Sequence, residues 1–178
     1  MAFDAFFYFT ASADKEKVPG ETQDAAMAEK GAFEVIELSL GASNNINIGS
    51  SSGGGGAGKA EFESVKIKKK TDLGSPGMFQ QLVVGRHFDE AIIELRRSGG
   101  SGTDSGSTFM KFYIKHVMVA GIEWGGSSGD DIFEEDIELK FGALKVEYIP
   151  QKGDGSMDTG KAKKAEWSLI KNTAQYAV

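Results

Sequence analysis

The run DIELKFGALKVEYIP, residues 136–150, alternates apolar and polar side chains on both sides of a glycine. Ile137, Leu139 and Phe141 interleave with Asp136, Glu138 and Lys140, and further on Leu144, Val146 and Tyr148 interleave with Lys145 and Glu147. Side chains of a strand point to opposite faces with period two, so each half of the run reads as a half-buried strand. The same alternation carries Phe3, Ala5, Phe7 and Phe9; Ile36, Leu38 and Leu40; Val65 and Ile67; Ala91, Ile93 and Leu95; and Met110, Phe112 and Ile114, and it closes with Trp167 and Leu169. About eight or nine such runs in one small domain imply a mainly β fold, either a sandwich or a barrel.

Some runs change phase. Phe33 and Val35 are odd while Ile36 and Leu38 are even, and Phe112 and Ile114 are even while Val117 and Val119 are odd. A one-residue slip exchanges the faces of a strand unless a bulge absorbs it, so bulges or sharp bends are expected at both places. One segment departs from period two. SPGMFQQLVVG, residues 75–85, offers Ser75 as an N-cap, Pro76 at the first helical position and Gly85 as a C-terminal stop. Met78, Phe79, Leu82 and Val83 supply one apolar stripe, and a single short helix is expected to plug or flank the sheet.

The 178 residues suit one domain, 1–178, able to bury a core without disulfides or metals. The absence of cysteine excludes thiolate zinc sites and thiol catalysis. A net charge of −6 argues against a non-specific grip on nucleic acid or on an anionic membrane. No apolar run approaches the ~20 residues that span a bilayer. The N-terminus lacks a basic n-region, and Asp4 interrupts its apolar part, so no signal peptide is read there. With 24 glycines and only three prolines, the chain reads as many turns between many strands.

Gly53, Gly58 and Lys59 sit at the spacing of a nucleotide-binding phosphate loop, G-x-x-x-x-G-K. Ala60 follows where Ser or Thr would hold Mg²⁺, and the next residues alternate like a strand, so no helix N-terminus meets a phosphate. The glycines read instead as a place where backbone can lie close to backbone. His87 and His116 lack the local company of a metal site. The acidic run 130–138 lacks the pattern of a calcium loop and reads as the outer face of a strand, and the lysines of KIKKK, residues 66–70, read as a solvated strand end. No catalytic, metal or cofactor site is expected. Phe6 and Tyr8 lie opposite Phe7 and Phe9, so this first strand is apolar on both faces and something must cover the second, either the helix or another subunit. Residues 11–30 and 43–59 read as two long loops, the first charged and mobile, the second polar and glycine-rich.

Four motifs in order resemble the haemolysin-coregulated protein (Hcp) family: GGGGAGK at 53–59, GRHFDEAIIELRRSGG at 85–100, YIPQK at 148–152 and EWSLIKN at 166–172. The resemblance covers nearly the whole chain, although residues 11–30 and 98–107 look longer than is usual. It implies a small β-barrel with one short flanking helix and no catalytic activity, assembled as a homohexameric ring. In this family such rings stack into the inner tube of a type VI secretion system, inside a contractile sheath and capped by a spike. Some members hold secreted effectors in the lumen. The resemblance further implies residence in the bacterial cytoplasm before firing, then export or delivery to a target cell. The segment with Asn44, Asn45, Asn47, Gly53, Gly54, Gly55, Gly56, Gly58 and Lys59 resembles the extended loop that reaches the next ring. Glu37 and Ser39, on the polar face of their strand, are expected to face the lumen and cargo. The alternative is a barrel that chaperones a secreted effector without polymerising.

Overall fold

The computed structural model describes residues 3–11, 18–47, 56–97 and 106–178. Along the chain run β1 (Phe3–Ala11), α1 (Ala25–Ala28), β2 (Phe33–Val35), β3 (Glu37–Ser39), β4 (Ala42–Asn47), β5 (Gly56–Phe62) and β6 (Val65–Lys70). Then follow α2 (Ser75–Val84), β7 (His87–Arg97), β8 (Ser107–Gly125), β9 (Glu134–Lys140), β10 (Ala143–Tyr148), a 3-10 turn (Thr159–Lys161) and β11 (Lys163–Ser168). Nine strands form one sheet along the path β2-β1-β7-β8-β9-β6-β3, with β10 and β11 continuing from β8. Among the described residues, β4 and β5 pair only with each other.

The two ends of that path, β2 and β3, are one stretch of chain bent at Ile36. β2 pairs with β1 and β3 pairs with β6. The wall therefore returns to itself through covalent chain rather than a continuous ladder, with Ile36 N–H donating to the Lys68 carbonyl at 2.7 Å across the seam. The barrel expected from the sequence is present, and its ring of strands is not strictly closed.

Both phase slips have backbone causes. The slip after Val35 is the bend at Ile36, where the chain changes partner strands. The slip in β8 falls at His116, which takes a left-handed φ of 51°. Ile114 and Val117 are then both buried although three residues apart. The inward faces pack Phe7, Phe9, Phe33, Val65, Ile67, Phe88, Ile93, Ile114, Ile137 and Leu139 into one core. Phe9 stacks on Phe88 with ring centroids 3.7 Å apart, an aromatic pair worth about 1 kcal/mol beyond its buried area.

Helix α2 ends as expected. Gly85 adopts φ 70°, and its N–H reaches the carbonyls of Gln81 and Leu82. Its start differs, because Gly74 is the N-cap and Ser75 is already helical and buried. The expected stripe also splits. Met78 is fully buried and Leu82 half-buried, while Phe79 and Val83 face solvent.

Two expectations about the outer side of β1 are corrected. Of the loop expected over residues 11–30, residues 12–17 lie outside the described residues and residues 18–30 are not loose: Asp24 caps α1 through the N–H groups of Ala26 and Met27, and Val18 and Met27 are buried. This segment covers β1. Phe6, Tyr8 and Ile92 pack against Met27 and Ala32 in a second, smaller core. Neither α2 nor another subunit is needed to bury the second face of β1. Among the described residues there are thus two α-helices rather than one.

Candidate functional site

Within the segment 43–59, residues 43–47 and 56–59 form a strand pair rather than the loop expected from composition, while residues 48–55 lie outside the described residues. β3 runs on through Leu40 and Gly41 into β4, and β5 runs through Glu63 and Ser64 into β6. One hairpin thus has a proximal part in the barrel and a distal arm beyond it. At the joint, Glu63 N–H donates to the Gly41 carbonyl at 2.9 Å. At ~3.3 Å per residue, a strand of this size reaches roughly 20 Å. The ladder shifts register between Asn44 and Ile46, where Gly58 and Lys59 of β5 together oppose Asn45 and so carry the bulge. A Cβ on Gly58 would lie 2.8 Å from the Asn45 carbonyl oxygen, which is why glycine stands in the bulge. Asn44, Asn45 and Lys59 are solvent-exposed, and Ile46 is 59% exposed. Asn47 pairs with Gly56 in the arm. Gly53, Gly54 and Gly55 lie outside the described residues. Lys59 sits inside β5 with strand on both sides, so the phosphate-loop spacing has no cradle.

Glu37 and Ser39 belong to a four-stranded face. In the order β3-β6-β9-β8, cross-strand pairs set Glu37 beside Lys68, Ser39 beside Lys66, Lys68 beside Asp136, Lys66 beside Glu138 and Lys70 beside Glu134. Glu123 lies beside Asp136, and Gly121 beside Glu138. The face is rows of carboxylates and ammoniums edged by small residues, and Lys68 reaches Glu134 at 3.2 Å. That contact raises the Lys68 pKa above its ordinary value. Opposite-charge neighbours across a sheet stabilise modestly, so the face needs no covering. Both edges of this sheet are open. Among the described residues, β3 pairs only with β6, and residues 119–125 of β8 pair only with β9. With every ladder antiparallel, the two edge strands run in opposite directions.

Beneath this face lies an ion cluster that the sequence reading missed. Lys69 and Glu135, each only 1% exposed, pair at 2.6 Å, and Lys69 also reaches Asp72 at 2.8 Å. Ser75 Oγ donates to Glu135 at 2.8 Å, and Trp124 Nε1 donates to its other oxygen at 2.8 Å. The cluster ties the start of α2 to β6, β8 and β9. Burial raises the Asp72 carboxyl despite the Lys69 charge beside it. The signal was present in the phase. Lys69 is in step with Val65 and Ile67, and Glu135 with Ile137 and Leu139, so both point inward.

A second cluster fastens the α1 segment to the barrel. Glu94 on β7 accepts from Tyr8 Oη, from Lys30 at 2.8 Å and from Thr108 at 2.9 Å. Burial pushes the Glu94 carboxyl up, but the hydrogen bonds from Lys30 and Tyr8 and the Lys111 charge outweigh it and hold it at about 2. Tyr8 is displaced upward by burial and by its bond to Glu94. Arg96, nearly buried, reaches Asp24 at 3.0 Å and completes the clamp.

The family profile described as "Type VI secretion system effector, Hcp" matches residues 9–148. The chain belongs to this family. Protein hcp1 of Pseudomonas aeruginosa is 32% identical over 110 residues, an alignment covering 62% of this chain and 65%, just under two thirds, of that protein. A solved structure described as that of a type six secretion system protein superposes with a TM-score of 0.83 at 26% identity, covering 97% of this chain and 99% of the other. Hcp1 from Salmonella typhimurium has the same fold, with a TM-score of 0.71 at 22% identity over 97% and 99% of the two chains. The β-rich Hcp fold read from the motifs is therefore present.

Proposed function

We propose that this Hcp chain is the building block of a type VI secretion tube: six copies close into a ring, and rings stack. The observation that carries this reading is the four-stranded β3-β6-β9-β8 sheet, polar on its outer face and open at both edges. Open edges present unpaired N–H and C=O groups that template pairing with another chain. Because the two edges differ, the contact is heterologous, and a heterologous contact closes into a ring when its rotation returns to the start.

The projecting β4–β5 arm supports stacking. A lone two-stranded ribbon is marginal in water and gains stability by lying on another surface. Asn44, Asn45, Asn47, Gly56, Gly58 and Lys59 of the arm then meet the next ring, and Gly53, Gly54 and Gly55 of the same glycine run share that role. In a closed ring the charged face with Glu37 and Ser39 lines the lumen, where it meets effector cargo. The spike at the tip and the contractile sheath outside are the remaining partners. Its role is structural, with no turnover of a substrate. The protein waits in the bacterial cytoplasm and leaves with the fired tube.

Electron microscopy with light scattering on the purified protein tests this. Hollow annuli of six-subunit mass are expected. A monomer at every concentration overturns it and favours the non-polymerising adaptor.

A further inference from the structure

Resting on the ring reading, a specific seam follows from what the two open edges leave unburied. At the β3 edge lies an apolar groove of about 420 Å³, lined by Phe3, Val35, Ile36, Leu38, Leu40 and Phe112 among others, with Ser39 at its margin. Ile36 is 47% exposed there and Phe3 54%. At the other edge Trp124 is 43% exposed at the end of β8. Phe79 of α2, itself 46% exposed, lies against it with ring centroids 5.7 Å apart. One edge is a trough without a filling, and the other is an aromatic pair without a cover.

We propose that Trp124, backed by Phe79, fills the β3 groove of the next copy, with Leu38 of that copy directly opposite Trp124. Three observations converge on this. First, the faces agree. Trp124 pairs with inward Glu135, and Leu38 pairs with inward Ile67, so both lie on the barrel side when β8 of one copy is laid beside β3 of the next. Second, the directions agree, since the two edges meet antiparallel. Third, charge excludes one neighbouring register. With Leu38 opposite Trp124, Ser39 faces Glu123, Glu37 faces Gly125 and Leu40 faces Ile122. Of the two slips by two residues that keep the faces, one sets Glu37 against Glu123, and like charges directly opposite are destabilising; the other moves Trp124 from Leu38 to Leu40 and loses the facing of Ser39 by Glu123. The groove is thus incomplete within one chain, and its filling comes from a second copy.

The chain has no cysteine, so paired cysteines report the seam cleanly. In the double variant Ser39→Cys/Glu123→Cys, both changes are on the polar face and leave the core intact. Directly opposite residues have Cβ atoms ~4.5–5.5 Å apart, within reach of a disulfide after small adjustment. Oxidation is expected to give a ladder of covalent species ending at the ring, whereas Glu37→Cys/Glu123→Cys stays largely uncrosslinked. Rings that form in the microscope without the Ser39–Glu123 cross-link overturn the seam and leave the ring reading standing. A parent chain that makes no rings overturns both.

Phe79→Ser and Trp124→Ser provide the second measurement. Each is expected to raise the protein concentration at which rings dissociate by roughly thirtyfold, the loss typical of an aromatic anchor at an interface centre. Phe79 has an exposed ring, so its variant folds even if loss of the Trp124–Glu135 hydrogen bond weakens the other. Rings of Phe79→Ser and Trp124→Ser that survive dilution as well as the parent overturn the aromatic plug.

Discussion

Two faces of the same barrel are finished in opposite ways. Outside β1 and β7 the outward residues are apolar, Phe6, Tyr8 and Ile92, and the chain folds its own α1 segment over them. Outside β3, β6 and β9 the outward residues are Glu37, Lys66, Lys68, Asp136 and Glu138, and no described segment is folded over them. Each face has its own buried charge nearby. Glu94 locks the cover onto the first, while Lys69 and Glu135 lie beneath the second and hold α2 and the strands in register. The comparison teaches that an apolar second face need not mean a partner. On this molecule the surface suited to a partner is the charged one, because its edges are open.

The largest expected effect separates these two charge clusters. Glu135→Ala leaves the Lys69 ammonium buried beside Phe33 with only Asp72 as counter-charge. Breaking a buried pair by removing one partner costs about 3–5 kcal/mol. Urea denaturation is expected to show a loss of that size, and a loss below about 1 kcal/mol would mean that the cluster is dispensable. Adding Lys69→Met to Glu135→Ala should recover much of the loss, since a well-packed apolar pair can replace a buried ion pair.

The next effect is a pH dependence that belongs to the covered face. The Glu94 carboxyl is held at about 2, against an ordinary 4.5. A carboxyl lowered on folding contributes stability that is fully present above its unfolded pKa. That contribution is lost as pH falls from about 4.5 towards 2. The difference of about 2.5 units corresponds to about 3 kcal/mol. Stability measured between pH 5 and pH 2 should fall by that much more in the parent than in Glu94→Gln. Identical pH profiles would show that the clamp on α1 does not depend on the Glu94 charge.

The two faces also differ in how legible they were in sequence. The strands were readable because one apolar residue in two is a strong signal, and the Gly85 stop was readable because a left-handed position favours glycine. The four residues of α1 are too short for a helical period, so the cover over Phe6 and Tyr8 passed for a mobile loop; Asp24 before Ala25 was its only local mark. Lys69 and Glu135 were hidden by composition, since each sits in a run of like charges and only phase separates it from its neighbours. The arm was misread because Ser, Asn and Gly suggest a loop. Its ladder comes from being the far end of the β3–β6 hairpin, a cause that lies outside the segment itself. The open edges of β3 and β8 could not be read at all, because pairing partners are set by topology.

The smallest effect on the fold is expected to be the most informative about function. Ser39 is exposed on β3, so Ser39→Arg should change stability by no more than about 0.5 kcal/mol. At the proposed seam, the new guanidinium meets Glu123 of the neighbouring copy, an attractive contact, so rings should persist at the parent's mass by light scattering. If the β3-β6-β9-β8 face lines the lumen, a long cation from every subunit narrows the bore and adds charge where cargo would sit. Co-purification of effectors should then drop sharply while ring assembly is unchanged. Full retention of effector by intact Ser39→Arg rings would place cargo elsewhere and leave the charged face with assembly as its only role.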